Sequence, residues 1–411
     1  MTSPDLTAAE GRPKSVRQAV LTLNAGSSSI KAALFDRDGG TRPFLSCLAE
    51  RIGSPEASVR FHDQRKAPIE GLALPPGVGR SHETMLEWLL PALHDLGGAE
   101  VVAAGQRVVH GGPLHDRACL VDEGVVEALE SLVPLARSHQ PHELHAIRAA
   151  LQLWPGLPQI ACFDTSFHAS VPAVARMIAL PQKITKQGVR RYGFHGLSYD
   201  WISGRLPAVL GERASGRVVV AHLGNGASLC GLVNRESKAT TMGFTTLDGL
   251  VMGDRPGLTD PGAILYLFDE LGLSGQEMRQ MLFQESGLRG VSGISNDMRV
   301  LMESSDPAAK QAIDLFVYRA VREIGGVAAE IGGIDALIFT GGIGENAAPI
   351  RAAILEGCAW LGVRFDPDAN GVHATFLSPA GSRVTAHVIR TNEEAVIARQ
   401  TRAVLDGAET P

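Results

Sequence analysis

Cysteine is scarce in this chain and is never paired in sequence. Five cysteines stand at positions 47, 119, 162, 230 and 358, with no CxxC spacing. An odd, dispersed set suggests reduced thiols in a cytosolic protein rather than a disulfide framework. The thirteen histidines include no HExxH run, so no zinc site is legible. No GxxxxGKS/T occurs, which excludes a P-loop. No apolar run approaches the length of a membrane span, and residues 1–17 lack the apolar core of a signal peptide. That opening is polar and reads as a disordered lead-in. A positive excess is also missing: 38 Lys and Arg face 44 Asp and Glu, for a net charge of -6. A nucleic-acid binder needs a basic face, so nucleic acid is not the expected partner, and neither is a membrane.

What is present is an ordinary soluble composition, 45% hydrophobic and 20% charged, over 411 residues. That length is too great for one small core, so two domains are expected. Residues 20–36, VLTLNAGSSSIKAALFD, place two apolar runs around six small residues, 24–29. The pattern predicts a strand, a turn and a strand. A turn of small residues lets backbone N–H groups approach an anion, and Ser27, Ser29 and Lys31 add donors and charge. Phosphate is the expected ligand, and an ordinary surface hairpin is the alternative. Residues 217–233, RVVVAHLGNGASLCGLV, repeat the arrangement, with Gly226 matching Gly26 and Ser228 matching Ser28. Two such hairpins suggest an internally duplicated α/β fold with the ligand in a cleft between the halves.

Between and beyond the hairpins, polar residues sit at the ends of apolar runs. Residues 100–112 read as a strand that delivers Arg107 and His110 to a loop. The guanidinium fork suits a carboxylate or phosphate, and equally a surface ion pair. The strand predicted over 159–163 ends in Asp164, placed either in a ligand crevice or as a helix cap. Phe194 and His195 lie between glycines, which favours a ligand-facing histidine over a structural one only with further context. Residues 240–262 hold too many Gly, Thr and Pro for regular structure, and Arg255 lies in this long loop. Helices are expected over 82–96, 124–135, 264–271, 276–284, 306–331, 341–361 and 391–405, and loops over 137–143 and 288–298. Gly342, Gly344 and Ala347 match the dinucleotide pattern, with Asp366 near its acidic position, but a nucleotide phosphate at a helix N-terminus fits as well. Thr391 and Glu394 have capping-box spacing. Glu393 beside them complements the helix dipole or holds magnesium through water.

Nine stretches together resemble one family. LNAGSSSIK, QRVVHGG, CFDTSFH, RYGFHG, HLGNGAS, MGFTTLDGLVMG, SGISNDMR, FTGGIGEN and TNEEAVIAR occur here in the order found in the acetate kinases. The resemblance covers about residues 20–405. It implies an α/β fold of two duplicated ribonuclease-H-like domains, the actin-like ATPase architecture, with a cleft between them. The expected division is 1–17 as lead-in, 18–167 with 394–411 as one domain, and 168–393 as the other. It implies a homodimer and transfer of a phosphoryl group between ATP and acetate with Mg2+, for which Mn2+ substitutes.

Carried over by residue, the resemblance assigns Asn24 to the magnesium site and transition state, with Ser27, Ser29 and Lys31 at the phosphates. Arg107 takes the substrate carboxylate, and Asp164 is the catalytic carboxylate. His195 and Arg255 contact the transferring phosphoryl group, and His139 lies in the active site. ATP falls to His222, Leu223, Gly224, Asn225 and Gly226, to Asp297, Met298 and Arg299, and to Gly342, Ile343, Gly344, Glu345 and Asn346. Glu393 is the second magnesium residue. Val109 and Phe194 match the family's acyl pocket, whereas Ser138 and Thr246 depart from it. Gln106, Leu197, Tyr199, Asp254 and residues 256–259 depart as well. One methylene discriminates by only about 1–3 kcal/mol, so propionate is a competing substrate. A nicotinamide-dependent dehydrogenase using 342–347 and a non-catalytic actin-like nucleotide sensor are the readings from other classes.

Overall fold

The computed structural model describes residues 16–26, 28–137 and 139–408. The lead-in therefore falls outside the described residues, apart from Val16 and Arg17. Thirteen strands are described. Eight form one sheet: β1 Gln18–Ala25, β2 Ser29–Asp36, β3 Leu45–Glu50, β4 Ser58–Asp63, β5 Pro68–Ile69, β6 Glu100–Val108, β7 Cys119–Leu120 and β8 Gln159–Phe163. Five form another: β9 Arg217–Leu223, β10 Ala227–Val233, β11 Glu236–Thr240, β12 Ala336–Thr340 and β13 Thr385–Val388.

The two sheets are built alike. The first runs β5-β4-β3-β2-β1-β6-β8-β7 and the second β11-β10-β9-β12-β13. In each, three antiparallel strands (β3-β2-β1, β11-β10-β9) continue into two parallel ones (β6-β8, β12-β13). β12 is buried at every residue and β9 at all but its first. Helices cover both faces of such strands, so their sequences read as unbroken apolar runs. The duplication expected from the hairpins is thus a duplication of sheet topology. The two turns are not identical: Ala25 and Ile30 pair across residues 26–29, whereas Leu223 and Ala227 pair across 224–226.

Two helices join the sheets. On Gly196–Leu210, Leu197 packs with Ala103, Ile160 and Cys162 of the first sheet, and Tyr199, Ile202 and Leu206 pack with Val218 and Val220 of the second. On Glu393–Leu405, Val396 and Ile397 join the Ala103 cluster, while Ala395 and Ala398 pack with Ala33 and Phe35. The parallel strands β1, β6, β8, β9 and β12 end in the segments that carry the candidate residues. Ligands in open α/β sheets lie at such carboxyl ends.

Several local expectations are corrected. The helix expected over 124–135 is Glu123–Ser131, followed by a separate turn at Val133–Leu135 that contains Pro134. Residues 137–143 are not one loop: Gln140–Leu153 is a helix with Pro141 in its first turn, where its missing N–H is harmless. The loop expected over 288–298 contains the helix Gly287–Ser292, closed by Gly293 at φ 65°. The helix expected over 341–361 breaks at Ala347, because Pro349 cannot continue it and opens Ala348–Gly357 instead. Asn392, not Thr391, caps the last helix, accepting the Ala395 N–H at 3.2 Å. The helix expected over 276–284 is Gly275–Gln280 with a wider turn at Met281–Glu285.

Candidate active site

The first sheet contributes a buried ion pair. Arg107 lies near the end of β6 and Asp164 just past β8. Arg107 Nη2 donates to Asp164 Oδ2 at 2.6 Å, and Nη1 donates to Asn24 Oδ1 at 3.2 Å. Asp164 is 1% exposed. Arg107 Nε and Asp164 Oδ1 are buried with no hydrogen-bond partner. Orphaned polar atoms of this kind call for a ligand, since leaving them unpaired is costly. Burial lowers the Arg107 pKa, but Asp164, Glu393 and Glu143 outweigh it and hold the guanidinium above its ordinary value. Glu393 opens its helix half-buried. Burial raises its carboxyl to about 7, against the pull of Arg107 and with the push of Asp164. Lys31 on β2 is exposed, yet its charge reaches Glu393 and His222. Ser29 begins β2, and its carbonyl accepts the Gly26 N–H at 2.8 Å.

The second sheet contributes a histidine pair and a second arginine. His195 sits at φ 60° as the cap of Gly196–Leu210. That left-handed conformation is uncommon for a non-glycine residue and marks a constrained position. Its neighbour explains the flanking glycine: a Cβ on Gly196 would stand 2.0 Å from the Asp164 carbonyl oxygen. Close backbone approach there carries His195 up to the first-sheet residues. His195 Nδ1 bonds Ser228 Oγ at 2.8 Å, and Tyr199 Oη bonds the same oxygen at 2.5 Å. Its ring stacks on His222 at 4.3 Å between centroids, and His222 Nδ1 bonds Ser198 Oγ at 2.8 Å. Burial, then the charges of His222, Arg107 and Arg255, keep His195 neutral near pH 7. Burial likewise lowers His222 to about 4 and His139 to about 3, the latter under the fields of Arg255 and Arg107.

Arg255 donates from Nη1 to the Thr246 carbonyl at 2.9 Å, and burial lowers its pKa only to about 10. A Cβ on Gly226 would lie 2.9 Å from Arg255 Nη2 and 3.2 Å from His195 Nε2. Both groups therefore converge on a position where the chain carries no side chain. The 240–262 loop that holds Arg255 is built into the core: Met242, Leu250 and Met252 are buried, and Arg191 ties it down through Asp248 at 2.7 Å. Val109 and Phe194 share one buried apolar cluster. Thr246 is nearly buried and supplies its carbonyl to Arg255. Ser27 and Ser138 lie outside the described residues.

A cavity of about 490 Å³ adjoins these groups in the second half of the chain. Gly224, Asn225, Asp297, Met298, Arg299, Gly342, Ile343 and Asn346 line it, all expected from the sequence. Ala347, which the dinucleotide pattern had marked, also lines it, and so do Asn296 and Met302, to which no role had been assigned. Asn296 is held there by Asp254, whose Oδ2 accepts its amide at 2.7 Å. Ser29 and Lys31 of the first hairpin are not on this wall, nor are five nucleotide residues expected in the second half of the chain. His222 and Gly226 face His195, and Leu223 is buried under Gly341. Gly344 is buried, close to the carbonyls of Ala221 and Phe339. Glu345 turns inward, its Oε1 accepting the N–H groups of Gly341 at 3.1 Å and Thr391 at 3.0 Å. The acidic residue of the dinucleotide pattern is also engaged elsewhere, since Asp366 caps the helix Pro367–Gly371. Glu143, Tyr199, Ser228 and Ser198 complete the polar arrangement. Ser228 carried a sequence signal as the counterpart of Ser28, and Tyr199 as a departure from the family pattern.

Comparison with known proteins points to one family. The model of the acetokinase family matches residues 19–399. An acetate kinase of Rhodopseudomonas palustris is 49% identical over 94% of this chain and 98% of its own length. A propionate kinase from Francisella tularensis superposes with a TM-score of 0.86 at 37% identity, covering 94% of this chain and all of the other. Porphyromonas gingivalis acetate kinase superposes with a TM-score of 0.82 at 32% identity and the same coverage. The chain belongs to the acetokinase family.

Proposed function

We propose that the chain transfers a phosphoryl group reversibly between ATP and acetate, giving acetyl phosphate and ADP by direct in-line attack. The observation that carries this reading is the convergence of Arg107 and Asp164 from one sheet with His195 and Arg255 from the other, beside a glycine-lined cavity. ATP occupies that cavity, with its phosphates toward Gly226. An acetate carboxylate is ionised near neutral pH and needs no base. Arg107 Nε takes one carboxylate oxygen, and Asp164 fixes the guanidinium plane. In this reading Tyr199 donates to Ser228 and Ser228 to His195 Nδ1, two bonds whose distances allow that direction, which leaves the proton on Nε2, directed at the phosphoryl group. Arg255 adds full charge there, and such fixed donors stabilise the charge of the transition state. In this reading Val109, Phe194, His139 and Thr246 line the acyl side.

The residues fit a divalent cation that arrives with nucleotide. Among the described residues no three His, Cys, Asp or Glu side chains could hold a metal by themselves. Magnesium is commonly held by one or two carboxylates together with substrate phosphates and water. Glu393 and the Asn24 carboxamide oxygen would hold it, and Mg2+, or Mn2+ in its place, supplies neutralisation of the phosphates. The two domains of this reading are 18–167 with 394–411 and 168–393. No helix among the described residues is long and apolar enough to cross a membrane. The five cysteines are free, four of them buried, which suits a reducing cytoplasm. A homodimer is part of the reading: Leu265, Tyr266, Phe268 and Leu271 are more than half exposed on and just after the helix Pro261–Asp269.

Trapping of the acyl phosphate with hydroxylamine, in the presence of ATP, Mg2+ and either acetate or propionate, tests the assignment. Acetate turnover is expected to lead. Preference for propionate would establish the second reading, which the Francisella relative favours. No product from either acid, with ATP still bound, would leave the nucleotide sensor.

A further inference from the structure

Glu143 is a buried carboxyl group at the carboxylate side of the site that the chemistry above leaves unused. It lies on the first turn of the helix Gln140–Leu153 and is 2% exposed. Its Oε2 accepts the N–H of Val109 at 2.9 Å, directly behind the acyl wall. Its Oε1 is buried with no partner, like Arg107 Nε and Asp164 Oδ1. Gln140 pins the helix start, donating from Nε2 to the carbonyls of His110 at 3.2 Å and Leu129 at 3.3 Å. Glu143 therefore cannot leave for solvent without breaking the junction between β6 and this helix.

The groups around it are few. Arg107 on β6 and Asp164 after β8 are the charges that act on it. His110 beyond β6 and His139 at the head of its own helix are held neutral by burial, at about 4 and about 3. Glu130 on the helix Glu123–Ser131 pairs with Arg148, and His82 on the helix His82–Gly97 stacks on His142. Burial raises Glu143 to about 8, although Arg107 and the Val109 N–H both pull it down. Burial thus favours its uncharged form near neutral pH, and Oε1 is the oxygen not engaged by the Val109 N–H.

We propose that Glu143 is a positioning residue for the carboxylate substrate: protonated, it leaves Arg107 to the substrate, and ionised, it competes for that guanidinium. The inference rests on acetate binding at Arg107. Acetate and ionised Glu143 are both carboxylates, and the site holds one uncommitted edge of Arg107 for them. Binding of acetate above the Glu143 transition must then take up a proton.

Two measurements on the 411-residue chain test this. In the first, KM for acetate and for ATP is followed by ADP release from pH 6.5 to 9 in native protein and Glu143→Gln. The glutamine keeps an oxygen for Val109 and never ionises. Native KM for acetate is expected to rise toward tenfold per pH unit above the transition, with KM for ATP and kcat following the same profile in the two proteins within twofold. Glu143→Gln is expected to hold a flat acetate KM. The second needs no variant: calorimetry of acetate binding in buffers of different ionisation enthalpy is expected to show uptake approaching one proton per acetate at pH 9 and little at pH 6.5. Parallel KM profiles in the two proteins, or no proton uptake at pH 9, would overturn the role of Glu143. Failure of the function itself is a separate outcome, because it would abolish acetate turnover at every pH.

Discussion

A single methyl group at Gly226 should separate activity from stability. The added Cβ would stand 2.9 Å from Arg255 Nη2 and 3.2 Å from His195 Nε2, distances at which something must give. Gly226 has no positive φ, so alanine is not strained there by its backbone. The group that yields is the tip of Arg255, which can move at the cost of its bond to the Thr246 carbonyl. A hydrogen bond from a charged donor contributes about 1.5–3 kcal/mol, and relief of the contact by side-chain motion keeps the stability loss at the low end. The catalytic loss is larger, because a shift of about 1 Å in a group aimed at the reacting centre costs on the order of 10²-fold. That corresponds to about 2.7 kcal/mol of transition-state stabilisation. Acyl phosphate trapping with saturating ATP and acetate is expected to show kcat down about 10²-fold for Gly226→Ala. Urea denaturation of the same variant should show a loss near 1.5 kcal/mol. Native turnover in Gly226→Ala would refute the reasoning, since His195 and Arg255 would then not be working at this position.

Four further outcomes are expected. Arg107→Ala strands Asp164, a carboxylate 1% exposed, and should lose about 3–5 kcal/mol in urea denaturation together with acyl phosphate formation; adding Asp164→Asn should restore much of the stability and none of the turnover. Tyr199→Phe removes the hydroxyl behind Ser228 and should lower kcat up to about tenfold while KM for acetate and ATP stays within twofold, which steady-state kinetics will check. Without ligands, stability should peak near pH 6.5. Burial depresses His110, His139, His168, His195, His222 and His387, so below 6.5 the unfolded chain takes up protons that the folded one refuses and stability falls; above 6.5, with the histidines neutral in both states, Glu143 and Glu393 still hold protons that the unfolded chain has released, so stability falls until they ionise at about 8 and about 7, and thermal denaturation across pH 4.5–9 reads both limbs. On the homodimer reading the native chain should scatter light as a dimer and Phe268→Glu, which places a charge on the exposed apolar helix, as a monomer; a dimeric variant would put the interface elsewhere, and a monomeric native chain would refute the reading.

The parts of the fold legible in the sequence are those whose pattern has one physical cause. β9 and β12 read as strands because both of their faces are covered, and the two hairpins read as hairpins because small residues interrupt apolar runs. Arg107 and Asp164 were legible as strand-end residues, though not that each would be the other's partner. What escaped was set by tertiary packing. The helix Gly287–Ser292 starts and stops at glycines and persists against the long helix Pro307–Glu330. Glu143 follows Gln140 and His142 in a polar run, so its helix face reads as solvated, yet Gln140 and Glu143 both point inward. Glu345 lies in a nucleotide motif, but its carboxylate ties that motif to Thr391. A local pattern specifies which loop approaches a ligand and not which way each of its side chains turns.

The two arginines differ in a way that supports their separate assignments. Arg107 already sits among carboxylates, with Asp164 at 2.6 Å and the fields of Glu393 and Glu143 beyond. Exchanging one carboxylate neighbour for another changes little in its surroundings, which suits a site that binds and releases an organic acid. Arg255 has Asp254 as its one counter-charge, and that residue is itself engaged by Arg289 at 2.7 Å and by Asn296. Burial without full compensation brings its pKa down to about 10, still high enough to keep it charged near pH 7. A buried cation lacking its full complement of negative charge is destabilising until an anion arrives. Around it the histidines at 139, 195 and 222 are neutral, so they add donors without adding repulsion. The phosphoryl group in transit is the anion that would complete this arrangement. Its charge is spread over three oxygens, which Arg255 and His195 approach from the side left open by Gly226.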